Sequence, residues 1–125
     1  MSRVPLVLRG EVYTARLDPT EGSEMRKTRP VVIVSNDIDN RHSPCVLVAP
    51  LTEHGGGKVY PTEVLVLPPV AGVLKPSRIS CTQVRVLDKR RLMDANGNPL
   101  CRWGQLPPEV VLQVDAGLRI ALALD

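Results

Sequence analysis

The segment TRPVVIVSND, residues 28–37, is the stretch of this sequence that decides its fold. It contains a continuous apolar run, residues 30–35, which is rich in β-branched Val and Ile and is followed by the turn-prone pair Asn36-Asp37. A short, unbroken run of this kind is typical of a buried strand. Pro30 suits the first position of a strand, where its missing N–H does the least harm. The segment therefore predicts a buried β-strand.

On either side of this run, the apolar segments are again short and separated by turn residues. Residues 11–17 predict a first strand, and a polar loop rich in Pro, Gly, Ser, Glu and Lys follows it over residues 18–28. Three more strands are predicted: residues 45–49, ended by Pro50; residues 62–67, ended by Pro68-Pro69; and the alternating stretch 78–87. Asn96-Gly97 is a turn signal of the hairpin kind.

The last segment of the chain has a different period. After Pro107-Pro108, apolar residues recur every three or four positions, at Val110, Val111, Val114, Leu118, Ala121 and Leu122. This spacing predicts a helix with one apolar face, and proline is common at a helix start. Five or so short strands and this helix predict a mainly β (α+β) fold, a small, partly open SH3-like β-barrel with a C-terminal helix. We expect a single domain over residues 1–125.

The composition is that of a globular protein with a modest positive charge. Of the 125 residues, 43% are hydrophobic and 23% charged, and the formal net charge is +3. Twelve of the 16 basic residues are Arg. Arginine suits phosphate recognition, although codon preference in a GC-rich genome explains the excess equally well. The net charge therefore permits a polyanionic partner without requiring one.

The cysteines and the termini indicate where the protein works. The three cysteines are far apart in sequence and form no CxxC pair, which favours free thiols in a reducing compartment and argues against a zinc site. The N-terminal apolar patch is too short for a secretion signal, and no apolar stretch approaches the length of a membrane span. We therefore expect a cytoplasmic protein with no membrane association, no metal and no cofactor.

An ordered set of motifs resembles the MazF/PemK/Kid family of type II toxin–antitoxin toxins. The matching motifs are RGEVY (9–13), LDP (17–19), GSE (22–24), TRPVVIVSND (28–37), VAPLT (48–52), YPTEV (60–64), QVRVLDKRRL (83–92) and GQL (104–106). The resemblance implies a Kid-type barrel, a homodimer, and metal-independent cleavage of single-stranded RNA at short sequences. It also implies a MazE-type antitoxin that covers the RNA site. Arg29 and Thr52 match the positions of the family's catalytic Arg and Thr.

The chemistry of the two side chains agrees with the roles that the resemblance implies. RNA can be cut by its own 2′-hydroxyl if an enzyme moves protons and stabilises negative charge on the phosphate. Arg29 can donate to phosphate oxygens, and Pro30 keeps its backbone extended. Thr52 can orient the scissile group through its hydroxyl. The plainer interpretations are a solvated surface Arg29 paired with Asp37 or Glu24, and a Thr52 that merely forms a turn.

Five further residues are candidates for the site. Glu24 can orient Arg29 or accept a proton, or it is an ordinary loop carboxylate. Gln83 and Arg85 are candidates for RNA contact, as is Thr82 beside them, unless they form only the polar face of a strand. Glu53 is also an RNA-binding candidate, but its carboxylate beside the phosphate would repel RNA unless a cation neutralises it.

Two alternatives remain open. His42 and His54 could form an acid–base pair like that of ribonuclease A, although both are in predicted loops and the family does not rely on histidines there. CcdB-like toxins share this barrel but act by binding DNA gyrase, so the fold does not decide between an enzyme and a binding protein. The Arg-Pro and Pro-x-Thr matches favour RNA cleavage.

Overall fold

The structure, a computed structural model, describes residues 6–17, 28–94 and 96–125. Within these residues the chain forms eight strands, two α-helices and three single 3-10 turns. The strands are β1 Glu11–Arg16, β2 Thr28–Ile33, β3 Cys45–Glu53, β4 Glu63–Val66, β5 Ser77–Ser80, β6 Arg85–Asp88, β7 Leu92–Met93 and β8 Gly104–Gln105. The helices are α1 Asp37–His42 and α2 Pro108–Ala121, and the 3-10 turns are Val70–Gly72, Cys81–Gln83 and Lys89–Arg91.

The strands form one antiparallel sheet. Its main order is β4-β5-β3-β2-β1-β7, with β6 paired to β3 and β8 paired to β1. Among the described residues the order does not close on itself, so the sheet is barrel-like rather than a closed barrel. The predicted fold class, a mainly β structure with a C-terminal helix, is confirmed. Neither α-helix is long and apolar enough to cross a membrane in the part of the chain that the structure describes.

Each face of the sheet carries a hydrophobic cluster, because side chains alternate along every strand. The first cluster lies between the sheet and α2, and it includes Val12, Val32, Ala49, Leu51, Val64, Val66, Ile79 and Val114. The second lies on the opposite face and includes Tyr13, Ala15, Val31, Ile33, Val48, Leu87 and Leu92. Burying each such Val, Leu or Ile side chain contributes roughly 1.5–3 kcal/mol. The buried strand predicted over residues 30–35 is observed two residues earlier, as β2 Thr28–Ile33, and its side chains supply both clusters, which explains the unbroken apolar run.

The strand end predicted at Pro50 is wrong. Pro50 does not end its strand, because β3 continues to Glu53. At Pro50, β3 leaves β2, which pairs Val31 with Pro50, and joins β5, which pairs Ile79 with Leu51. A proline is tolerated where the pairing partner changes, since such a position does not depend on an uninterrupted ladder of hydrogen bonds.

The alternating stretch predicted over residues 78–87 is two strands rather than one. The 3-10 turn Cys81–Gln83 separates β5 from β6. The break coincides with a change of phase in the apolar alternation, from Ile79 and Cys81 before it to Val84 and Val86 after it. The prediction of one continuous strand overlooked this change. As a consequence, Gln83 lies in a turn and Arg85 begins a new strand that pairs with β3.

Helix α1 is a feature that the sequence analysis missed. Asn36 is its N-cap, and the Asn36 side chain accepts a hydrogen bond from the backbone N–H of Asp39 at 2.8 Å. Asn and Asp favour turns and helix starts alike, so the pair Asn36-Asp37 indicates only that the strand has ended. The hairpin signal further along is confirmed, since the backbone N–H of Gly97 donates to the carbonyl of Asp94 at 3.0 Å.

Gly117 allows α2 to pack closely on the turn after β5. A glycine inside a helix costs about 1 kcal/mol relative to alanine. A Cβ at position 117, however, would lie only 2.9 Å from the Sγ of Cys81, so the close packing requires glycine. We expect Gly117→Ala to destabilise the wild-type protein and to be neutral or stabilising in a Cys81→Ala background. The coupling between the two sites should be about 1–2 kcal/mol by urea denaturation. An equal effect of Gly117→Ala in both backgrounds would contradict the contact.

Candidate functional site

Arg29 and Thr52 lie at neighbouring ends of the adjacent strands β2 and β3, and on the same face of the sheet. Arg29 is the second residue of β2 and Thr52 the penultimate residue of the antiparallel strand β3. The register pairs Val31 with Pro50, so the residues two positions further along, Arg29 and Thr52, continue on that face. Both residues are half-buried. The two residues to which the family resemblance gives catalytic roles thus follow the last pair of the β2–β3 register on one face of the sheet.

Two charged residues that the sequence analysis did not single out flank Thr52. Arg78 on β5 pairs directly with Thr52 on β3, and therefore shares its face of the sheet. The Nη1 atom of Arg78 lies 3.3 Å from Oε2 of Glu63 on β4. The other oxygen of Glu63 accepts a hydrogen bond from the backbone N–H of Tyr60 at 3.0 Å. Only the pairing of β3 with β5 reveals this neighbourhood, which no local pattern in the sequence encodes.

The RNA-binding candidates from residues 82–85 border the same face. Arg85 pairs with Val48 on β3, and its Nη1 donates to the carbonyl of Leu17 at 3.1 Å. Thr82 is exposed, with its hydroxyl 3.3 Å from that of Ser80. Gln83 is half-buried in the 3-10 turn between them. These side chains extend the polar surface beside Thr52 toward β6.

Glu53, one of the two acidic candidates, does not lie on this surface. Glu53 follows Thr52 in β3 and therefore points to the opposite face, where its Oε2 lies 3.9 Å from Nζ of Lys75. The repulsion expected between Glu53 and a phosphate at Thr52 is thereby reduced. Glu24 lies outside the residues that the structure describes.

The two histidines do not form a pair. His42 ends α1 and His54 follows β3, so the nine residues of β3 separate them, a length of more than about 20 Å. The backbone N–H of His54 donates to the carbonyl of Pro76 at 2.8 Å. This separation excludes an acid–base pair of the ribonuclease A kind within one chain.

The large rings divide between the core and the surface. Tyr13 is buried and donates to Oε1 of Glu11 at 3.2 Å; burial, and then the Glu11 carboxylate, raise the pKa of Tyr13 above its usual range. Trp103 packs against the cluster under α2. Tyr60 is exposed, and Nζ of Lys58 lies 5.1 Å from its ring centre. In the described parts of the chain, no group of three or more His, Cys, Asp or Glu side chains is placed to hold a metal ion.

Comparison with known proteins places the chain in a family. Residues 8–122 match the family described as PemK-like, MazF-like toxins of type II toxin–antitoxin systems. The chain is 39% identical to endoribonuclease EndoA of Bacillus subtilis (strain 168), over 95% of this chain and 97% of that protein. It is 37% identical to endoribonuclease MazF of Staphylococcus epidermidis, over 96% and 94% of the two chains.

A solved structure has the same fold. It is that of an endoribonuclease in complex with its cognate antitoxin from a mycobacterial species, with a TM-score of 0.73, 26% identity, and coverage of 95% of this chain and 97% of that one. The motifs quoted above lie in order along the matched residues. The chain therefore belongs to the PemK-like, MazF-like toxins of type II toxin–antitoxin systems.

Proposed function

We propose that this protein is a toxin that cuts single-stranded RNA, mRNA included, at specific short sequences without a metal ion, and so inhibits translation and growth. The observation that carries the proposal is the position of Arg29 and Thr52 at the neighbouring ends of β2 and β3, on one face of the sheet. The names of the two relatives, both endoribonucleases, support RNA cleavage over the gyrase binding of CcdB-like toxins.

The proposed reaction is an attack of the RNA on itself. The 2′-oxygen forms a bond to the neighbouring phosphorus as its proton leaves, and the bond from phosphorus to the 5′-oxygen breaks as that oxygen gains a proton. The products are a 2′,3′-cyclic phosphate and a 5′-hydroxyl. Arg29 stabilises the charge that develops on the phosphoryl oxygens, and Thr52 orients them through its hydroxyl.

The remaining residues serve orientation and binding in this proposal. Glu24 orients Arg29 or accepts a proton, as the sequence suggested. Thr82, Gln83 and Arg85 contact the RNA on either side of the cut, since they border the face that holds Thr52. Glu53 points away from Thr52 and stays outside the proposed contact surface.

The test of this proposal is incubation of the purified protein with a long RNA of mixed sequence in EDTA, followed by mapping of the fragment ends. We expect cuts at a few defined sites, each with a 2′,3′-cyclic phosphate and a 5′-hydroxyl end. Loss of cutting in EDTA that Mg²⁺ restores would contradict the metal-free mechanism. Intact RNA under all conditions, together with binding of purified gyrase, would replace the proposal with the CcdB-like alternative.

We further propose a MazE-type antitoxin as the protein partner. A mycobacterial relative has been solved with its cognate antitoxin, and a neutralising segment rich in acidic residues would suit the arginines near Thr52. Such a segment should compete with RNA. Simultaneous binding of RNA and antitoxin, detected by fluorescence anisotropy of labelled RNA, would argue against a shared site.

Family membership also supports a proposal for the assembly and the location of the protein. We propose a homodimer in the cytoplasm, in line with the free cysteines among the described residues, Cys45, Cys81 and Cys101. Light scattering on a sizing column should give twice the mass of the 125-residue chain. A monomer at micromolar concentration would contradict the dimer.

A further inference from the structure

Arg78 occupies an unusual place for a surface arginine. It lies in the centre of a three-strand register, opposite Thr52 on one side and Leu65 on the other. Its side chain is 27% exposed and that of its ion-pair partner Glu63 is 18% exposed. Directly paired residues of antiparallel strands have Cβ atoms about 4.5–5.5 Å apart. An arginine therefore stands next to one of the two proposed catalytic residues.

The hydrogen bonds of Arg78 are incomplete. A guanidinium has five N–H donors. Nη1 faces Glu63, whereas Nε is buried and has no acceptor among the residues that the structure describes. Buried donors in native proteins are nearly always paired, and unpaired ones cluster where function requires them. The ion pair with Glu63 therefore leaves part of the hydrogen-bonding capacity of Arg78 unused.

We propose that Arg78 is a substrate-contacting residue, which binds the RNA phosphate next to the one that is cut. This proposal rests on the function proposed above. In the free protein, Glu63 holds the guanidinium against the sheet, and its own second oxygen is fixed by the backbone of Tyr60. When RNA binds, the phosphate takes the place of the carboxylate on the exposed edge of the guanidinium, which presents paired donors of matching geometry.

Glu63 competes with the RNA phosphate for the donors of Arg78. A carboxylate that competes for the same donors weakens phosphate binding, so its removal strengthens the binding of RNA. If the pair only fastened β4 to β5, loss of either partner would have the same effect on folding and no effect on the salt dependence of RNA binding. The two roles of Arg78 therefore predict different results for the Glu63 variant: tighter RNA binding if Arg78 contacts RNA, and only a loss of stability if the pair is structural.

The experiment measures RNA affinity at several NaCl concentrations. The ligand is an oligonucleotide that contains the mapped cut site with deoxyribose at the reacting nucleotide, so that it binds without being cut. We expect Arg78→Met to bind about tenfold more weakly at 0.1 M salt, and the slope of log K against log salt to become shallower by about 0.7. We expect Arg78→Lys to keep the wild-type slope, and Glu63→Gln to bind more tightly than wild type.

Controls separate this proposal from loss of folding and from failure of the proposed function. Lys75→Met removes a cation that faces Glu53 on the other side of the sheet, and should leave the slope unchanged. If Arg78→Met does not fold by thermal denaturation, Glu63→Gln decides alone, and weaker binding overturns the proposal. Wild-type cutting with an unchanged slope in folded Arg78→Met overturns only the role of Arg78. A wild-type protein that neither binds nor cuts RNA overturns this role and the proposed function together.

Discussion

Replacing Arg29 with alanine is expected to slow RNA cleavage by at least about 100-fold while the fold is retained. Removal of one donor that stabilises charge in a transition state costs about 10²–10³ in rate. Arg29 is half-buried at the start of β2, outside both hydrophobic clusters, so its truncation leaves no large cavity in either. The measurement is the initial rate of cutting of one mapped site under single-turnover conditions, with thermal denaturation beside it.

Two variants sharpen this prediction. Arg29→Lys keeps the charge but loses the planar pair of donors, so we expect an intermediate rate. Arg119 is an exposed arginine on α2, which packs against the other face of the sheet, and Arg119→Ala should cut at the wild-type rate. A well-folded Arg29→Ala protein with wild-type activity would remove Arg29 from the reaction and leave Thr52 without its proposed partner.

Local patterns in the sequence predict the elements but not their partners. The run at residues 30–35 is buried as expected, because a β-branched apolar segment is stable only inside such a sheet. Pro50 shows the limit, since a proline ends a strand only where its N–H would be needed by a neighbour. Which neighbour is present depends on long-range pairing, and β3 changes its partner at that residue.

The residues of the candidate site also fall into two groups: those that local motifs predict and those that only strand pairing brings together. The motifs predict positions near strand ends for Arg29 and Thr52, and the structure has them as the second residue of β2 and the penultimate residue of β3. The strand end predicted at Pro50 was nevertheless wrong. Arg78 and Glu63 are 15 residues apart in sequence and meet only because β4 and β5 pair. The side chains of Thr52 and Glu53 point to opposite faces of the sheet, because they are adjacent residues of β3. Adjacency in sequence is therefore a poor guide to adjacency in a sheet.

Gly104 has the largest expected effect on stability. The motif GQL, residues 104–106, brings β8 against the 3-10 turn Val70–Gly72. A Cβ at Gly104 would lie 1.9 Å from the carbonyl oxygen of Ala71, and one at Gly72 would lie 2.6 Å from that of Trp103. The backbone of β8 and that of the 3-10 turn are thus in contact, with no room for a side chain at either glycine. Because the obstructing atoms are backbone, a rotamer change cannot relieve the clash.

We expect Gly104→Ala to lower the free energy of unfolding by about 3 kcal/mol or more, and the Tm by about 10 °C or more. Gly104 also pairs with Val12 of β1, so separating the two backbones would disturb the first hydrophobic cluster as well. The matched control is Gly55→Ala, where a Cβ would meet no atom within 4 Å and which should change stability by no more than about 0.5 kcal/mol. A Gly104→Ala protein as stable as Gly55→Ala would mean that β8 and the turn can move apart at little cost. In that case the close approach of the two backbones would not be what requires glycine at position 104.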